Sequence, residues 1–185
     1  MTVNSGCQIS RLTATIRGST VRPGPRKRFL EEPLSSSEYG GASGYERGDV
    51  LRGIHPFLPG DLLAHLDAMG HSDAVVLADA HFPADRLADR LLVFPGLSTP
   101  DLLAAVRTVV PLDDPPSIDL MTSADGARLP VQEQLIAAAE ATEEDVRFLD
   151  RHAFYDAAAG AYLIVRTGET RTYGNVLLRK GVVTA

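Results

Sequence analysis

Histidine titrates near neutrality, and this sequence has five of them, at positions 55, 65, 71, 81 and 152. His71 has the most telling surroundings. It follows Gly70, a residue that stops helices, and leads within two residues into the apolar run Ala74-Val-Val-Leu-Ala78. An imidazole beside a helix C-terminus is stabilised when protonated, and loops between rigid elements are where reacting groups are displayed. Asp79 closes the same run, at the end of a strand where α/β folds place ligand contacts; as a structural residue it would be a turn or cap. His71, Asp79 and His81 together could hold a metal through N and O ligands, but no H-E-x-x-H or comparable spacing accompanies them. His65 falls at the margin of a helix's apolar face and reads as a surface residue, while His55 precedes Pro56 in a loop. A second polar loop, Thr167-Gly-Glu-Thr-Arg-Thr-Tyr-Gly-Asn175, offers the Tyr173 phenol and the Asn175 amide on either side of Gly174. Phenols and amides are donor and acceptor types that read sugar hydroxyls, although two glycines also suit a plain hairpin connection. G-x-S-x-G, phosphate-loop and G-x-G-x-x-G signatures are absent from the sequence.

These side chains need elements to position them, and the pattern from Leu51 onward supplies them. Asp61–Met69 reads as a helix with Leu62, Leu63, Leu66 and Met69 on one face. Asp73–Asp79 reads as a buried strand. Thr99-Pro100-Asp101 predicts a helix start, with Thr99 as the capping hydroxyl, and Pro111 the stop after Val110. Ile118–Met121 is a second strand and Pro130–Glu140 a helix. Val146–Leu149 fits a strand or a helical turn, Phe154–Ala159 a helix, and Ala161–Arg166 and Asn175–Arg179 strands. The sum is a single α/β domain, a central sheet with helices packed on its faces.

The chain has 185 residues, 18 Lys+Arg and 24 Asp+Glu, for a net charge of −6. That balance argues against an extended phosphate-binding surface, since non-specific nucleic-acid affinity rests on cations displacing counterions. No apolar run approaches the roughly 20 residues of a bilayer span. A lone cysteine, Cys7, excludes an intramolecular disulfide framework and fits a cytoplasmic protein. Residues 1–50 differ from the rest: 17 of the 50 are Gly, Ser or Pro and only 15 are hydrophobic. So few apolar side chains cannot offset the ordering entropy of the backbone, which predicts a disordered extension ahead of a domain over 51–185. The basic run Arg22–Arg28 reads as a solvated cluster. Val50 stands where an initiating residue would fall, so 1–50 is expected to be dispensable and to reflect a mis-assigned start.

Several separated stretches, in order, resemble one family. Leu51-Arg-Gly-Ile-His-Pro56, Met69-Gly-His-Ser-Asp-Ala-Val-Val-Leu-Ala-Asp-Ala-His-Phe-Pro-Ala84, Arg151-His-Ala-Phe-Tyr155 and Thr167-Gly-Glu with Tyr173-Gly-Asn-Val-Leu-Leu-Arg-Lys-Gly-Val182 are similar to the L-fucose mutarotase and D-ribose pyranase family, and closer to its fucose branch. The resemblance covers 51–185. It implies an α/β sandwich, His71 as the proton-transferring residue, and Asp79, Arg151, Tyr173, Gly174 and Asn175 as sugar-binding positions. It also implies a ring-shaped homo-oligomer, commonly a decamer, in which the Tyr-x-Asn strand approaches a neighbour's site. Asp85–Leu97 is shorter than in typical fucose-branch members, and residues 1–50 have no counterpart.

The expected activity is exchange of the α and β anomers of a free monosaccharide, L-fucose or a related sugar. A base takes the proton from the anomeric hydroxyl while an acid protonates the ring oxygen, and the opened aldehyde recloses on its other face. No C–H bond breaks and no electrons move, so neither cofactor nor metal is expected. The expected partners are the sugar and further copies of the chain, with no nucleic acid and no membrane. The competing reading is a non-catalytic monosaccharide-binding accessory protein of sugar uptake, which would keep Asp79, Arg151 and Asn175 but need no His71. His81 is the nearest rival to His71 for the acid/base role.

Overall fold

A computed structural model describes residues 51–183. The expectations for 1–50, including the disordered extension, the start at Val50, Cys7 and the basic run, lie outside the described residues. Eleven elements follow in order: α1 (Gly60–Ala68), β1 (Ala74–Ala78), α2 (Ala84–Leu87), β2 (Leu91–Phe94), α3 (Thr99–Arg107), β3 (Ile118–Met121), α4 (Pro130–Ala138), β4 (Val146–Leu149), α5 (Arg151–Ala159), β5 (Leu163–Thr167) and β6 (Val176–Arg179). The strands form one sheet in the order β2-β5-β1-β6-β3-β4. β1 pairs parallel with β5, β5 with β2, and β3 with β4, while β6 runs antiparallel between β1 and β3.

β1 is apolar throughout because both faces of the sheet are covered. Its side chains alternate: Val75 and Leu77 join the core under α1, α3 and α4, with Leu62, Leu66, Leu102, Leu103 and Leu135. Val76 and Ala78 join a smaller core on the other face, with Phe82, Ala84, Phe154 and Ala158 beside α2 and α5. A buried carboxylate, Asp119 on β3, ties three strands on that second face. Arg147 of β4 donates to it through Nε at 2.8 Å and an amino group at 3.0 Å, and Arg179 of β6 donates at 2.6 Å. Two guanidiniums leave that carboxylate fully paired, the condition under which a buried charge is tolerated.

Three local expectations are corrected. Ser98, not Thr99, caps α3: its Oγ accepts from the Asp101 N–H at 3.3 Å. Thr99 is instead buried, with its hydroxyl 2.9 Å from that of Thr167. The 167–175 loop is no hairpin, because β1 lies between β5 and β6, so the connection crosses over the end of β1. α5 begins at Arg151 rather than Phe154, since Asp150 caps it by accepting from the His152 and Ala153 N–H groups at 2.8 and 3.0 Å.

Candidate active site

Five of the six strands point one way, so their C-terminal ends share one edge of the sheet with the start of antiparallel β6. Asp79 after β1, Arg151 after β4, Glu169 after β5 and Tyr173-Gly-Asn175 before β6 all stand on that edge. Asp79 is 3% exposed. Its N–H donates to Asn175 Oδ1 at 2.8 Å, and Asn175 Nδ2 donates back to Asp79 Oδ2 at 2.8 Å. The His81 N–H donates to Asp79 Oδ1 at 2.9 Å. Burial pushes the Asp79 carboxyl above its ordinary range, opposed by the hydrogen bonds from His81 and Asn175. Each carboxylate oxygen accepts about two hydrogen bonds, so this pair retains acceptor capacity for hydroxyl groups of a ligand.

The crossing loop is held over Asp79 from both sides. Ala80 N–H donates to the Glu169 carbonyl at 2.8 Å, and Thr167 Oγ1 donates to the Ala78 carbonyl at 2.9 Å. Glu169 is buried and accepts from Arg171 Nε at 2.8 Å and an amino group at 2.6 Å. That guanidinium holds the Glu169 carboxyl below the ordinary range. Gly174 sits tight against this pair: a Cβ there would lie 2.8 Å from Glu169 Cγ and 3.1 Å from the Arg171 carbonyl. Tyr173, at φ 63°, is half-buried against the core of α2 and α5, which includes Phe82. Gln132 braces the same edge, donating to the Met121 carbonyl at 2.7 Å while accepting from the Leu129 N–H at 2.8 Å. Arg151 is exposed at the first turn of α5.

His71 is elsewhere. It precedes β1 where Asp79 follows it, and at about 3.3 Å per strand residue the two stand on the order of 20 Å apart on opposite edges of the sheet. The structure therefore brings together Asp79, Arg151, Tyr173, Gly174 and Asn175 at one edge and leaves His71 at the other. His81, by contrast, is exposed on the Asp79 edge. The metal reading of His71, Asp79 and His81 as one ligand set fails on this geometry.

At its own edge His71 has partners that sequence reasoning missed. Its Nε2 lies 2.9 Å from Asp113 Oδ1, and Ser72 Oγ donates to Asp113 Oδ2 at 2.6 Å. Contacts spanning 42 and 41 residues carry no local spacing signal. Asp113 reaches them because the chain at Pro111–Asp113 lies against the end of β6: Leu112 bridges Lys180, and the Asp113 N–H donates to the Arg179 carbonyl at 3.2 Å. An apolar cavity of about 410 Å³ lies between Pro56-Phe57 and Phe94–Leu97.

Comparison with known proteins places this arrangement. Residues 52–183 match the model of the RbsD / FucU transport protein family. The chain belongs to that family. The L-fucose mutarotase of Histophilus somni is 40% identical over 141 residues, 72% of this chain and 97% of that protein. The L-fucose mutarotase of Glaesserella parasuis is 39% identical over 140 residues, 72% and 96% of the two chains. Among solved structures, the fucose mutarotase of Streptococcus pneumoniae in complex with L-fucose matches with a TM-score of 0.67 and 36% identity, over 72% of this chain and all of that one. Bacillus subtilis RbsD complexed with D-ribose shares the RbsD / FucU fold at a TM-score of 0.57 and 24% identity, covering 69% of this chain and 95% of that one.

Proposed function

We propose that this protein is a sugar mutarotase, an isomerase that exchanges the anomers of a free monosaccharide of the L-fucose type in the cytoplasm. The observation that carries its site is the buried Asp79–Asn175 pair, whose reciprocal hydrogen bonds fix a carboxylate and an amide at the sheet edge with acceptor capacity to spare. Asp79 and Asn175 hold the hydroxyl pattern, Arg151 reaches in from the start of α5, and the loop through Tyr173 and Gly174 shapes the wall. His71 of one copy meets this constellation on another, since roughly 20 Å of sheet separates the two edges within one chain. The working form is therefore a closed homo-oligomer, a decamer-like ring in which one interface repeats and completes every site. His71 exchanges one of the two protons, between the anomeric or ring oxygen and its imidazole, while Tyr173 binds the sugar or relays the other. The C1–ring oxygen bond breaks as the ring oxygen gains its proton, and reclosure reverses each transfer.

The test mixes two inactive proteins. His71→Ala and Asp79→Asn should each lower the exchange rate seen by saturation-transfer NMR by the ~10²–10⁴-fold scale of positioned proton transfer or lost binding. Dissociated and reassembled together, they should regain activity at about a quarter of the shared sites, those whose two halves are both intact. A second reading rests on His81, which stands on the Asp79 edge of the same chain. It expects His81→Ala to abolish exchange, His71→Ala to be silent, and mixing to restore nothing.

A further inference from the structure

The last turn before β6 carries its backbone strain on an aromatic residue. The Gly174 N–H donates to the Arg171 carbonyl at 3.3 Å, which closes a turn over Arg171–Gly174. Within it Tyr173 holds a φ of 63°, while Thr172 keeps a negative φ. Positive φ at the third residue alone is the pattern of a type II turn, where glycine or asparagine is the usual occupant. Here glycine stands one residue later, without a positive φ, and the tyrosine takes the unfavourable backbone. Such a conformation persists only where its surroundings over-determine it, and it gathers at functional sites.

Glu169 supplies the constraint. Its Oε1 accepts from the Arg171 N–H at 2.9 Å and from Arg171 Nε at 2.8 Å, while Oε2 accepts from an amino group at 2.6 Å. One buried carboxylate therefore grips both the backbone and the side chain of Arg171, in the two-pronged geometry that fixes a guanidinium most firmly. The other amino group donates to Gln134 Oε1 on α4 at 2.8 Å, and the Ala80 N–H, next to Asp79, holds the Glu169 carbonyl at 2.8 Å. The Arg171 carbonyl is thus fixed where the turn must close on it. On the other side there is no slack, since a Cβ on Gly174 would lie 2.8 Å from Glu169 Cγ. We infer that the Glu169–Arg171 clasp is a positioning device for the sugar site: it forces Tyr173 into its left-handed conformation and so fixes where that side chain stands relative to the Asp79–Asn175 pair. This deepens, and rests on, the reading of Tyr173 as a sugar-binding residue. Glu169 and Arg171 act through Tyr173 and need not touch the sugar. A tyrosine released from the clasp relaxes toward negative φ and carries its ring with it, and a misplacement of about 1 Å is enough to cost on the order of a hundredfold in rate.

The test is a double-mutant cycle on the full-length, assembled protein, read as L-fucose affinity by NMR titration and as anomer exchange by saturation transfer. Tyr173→Gly removes the side chain and suits the positive φ; on its own it should weaken binding and slow exchange. Arg171→Ala should lower kcat/KM by about ten- to a hundredfold in the wild-type background. In the Tyr173→Gly background the same change should cost less than about twofold, because residues that act through one another are not additive. Equal losses in the two backgrounds, the mark of a merely structural ion pair, overturn the inference, and so does a wild-type rate in Arg171→Ala. Arg171→Lys keeps the charge and gives up the fork; it carries the same cycle if Arg171→Ala does not assemble, with a smaller loss that again disappears beside Tyr173→Gly. A Tyr173→Gly protein with wild-type affinity and rate overturns the underlying reading of Tyr173, and the inference with it.

Discussion

Two buried carboxylates on one edge of the sheet, Asp79 and Glu169, are pushed in opposite directions by their surroundings. Burial raises Asp79, so its ionisation costs stability as the pH climbs from the ordinary carboxylate range through its folded value. Arg171 lowers Glu169, so its contribution is present above the unfolded value of about 4.3 and lost as the pH falls through the lower folded one. Glu169→Gln should therefore destabilise the protein by about 1–3 kcal/mol at pH 7, the cost of a buried polar group left poorly paired. Its stability should also fall less steeply below pH ~4.3; urea unfolding across pH 3–7 checks both. A wild-type-like acid limb would show that Arg171 does not hold Glu169 in solution. At this scale the sequence carried much of the candidate site. Asp79 ends an apolar strand, and Tyr173-Gly-Asn175 opens another, so both signals are local. Glu169, Arg171 and Asp113 were not legible, because their roles depend on which distant segments lie beside them.

The elements explain why the crossing loop has so little freedom. It must pass over the end of β1 to join strands two places apart in the sheet, and glycines stand where backbone or side chains come closest. A Cβ at Gly168 would fall 2.0 Å from the Pro95 carbonyl oxygen, a rigid obstacle, while at Gly174 the nearest atom is the flexible Glu169 Cγ. Gly168→Ala should thus cost more stability than Gly174→Ala, whose cost should be about 1–3 kcal/mol, the range for overpacking. Gly174→Ala should weaken sugar binding by displacing Tyr173 and Asn175; thermal melting and titration by NMR measure the two effects. An unaltered affinity would place the loop outside the site. Most elements follow from periodicity and stop signals, since α1, β1, α3, β3 and α4 are long or apolar enough to register. α2 and β2, four residues each, do not register: a single helical turn has no period, and Leu91-Leu-Val-Phe94 is only partly covered as an edge strand. The hairpin reading of 167–175 failed for a different reason. Local turn residues cannot reveal that a third strand is inserted between the two they connect.

For the whole molecule, the direction of β1 sets the assembly problem. Its residues order His71, strand, Asp79 along the sequence, and a strand of five residues spans roughly 17 Å. Once Ala74–Ala78 is read as a strand, His71 and Asp79 cannot share a site within one chain, so that much was already implicit in the residue order. What the order does not contain is the surface on which, in the proposed assembly, a second copy would seat its histidine edge against the Asp79 edge. If sites form only between copies, activity per chain depends on protein concentration in a way folding need not. On dilution below the assembly's dissociation constant, anomer exchange per chain should fall in step with the loss of oligomer measured by light scattering or mass photometry. Far-ultraviolet circular dichroism should change little over the same range, since the sheet of a single chain carries a core on each face. Sugar at saturating concentration should shift the dilution midpoint downward, because a ligand held by both copies binds the assembled state preferentially. Exchange per chain that stays constant through dissociation to monomers would place the whole reaction on one edge of one chain, and His81 would then be the histidine within reach of Asp79.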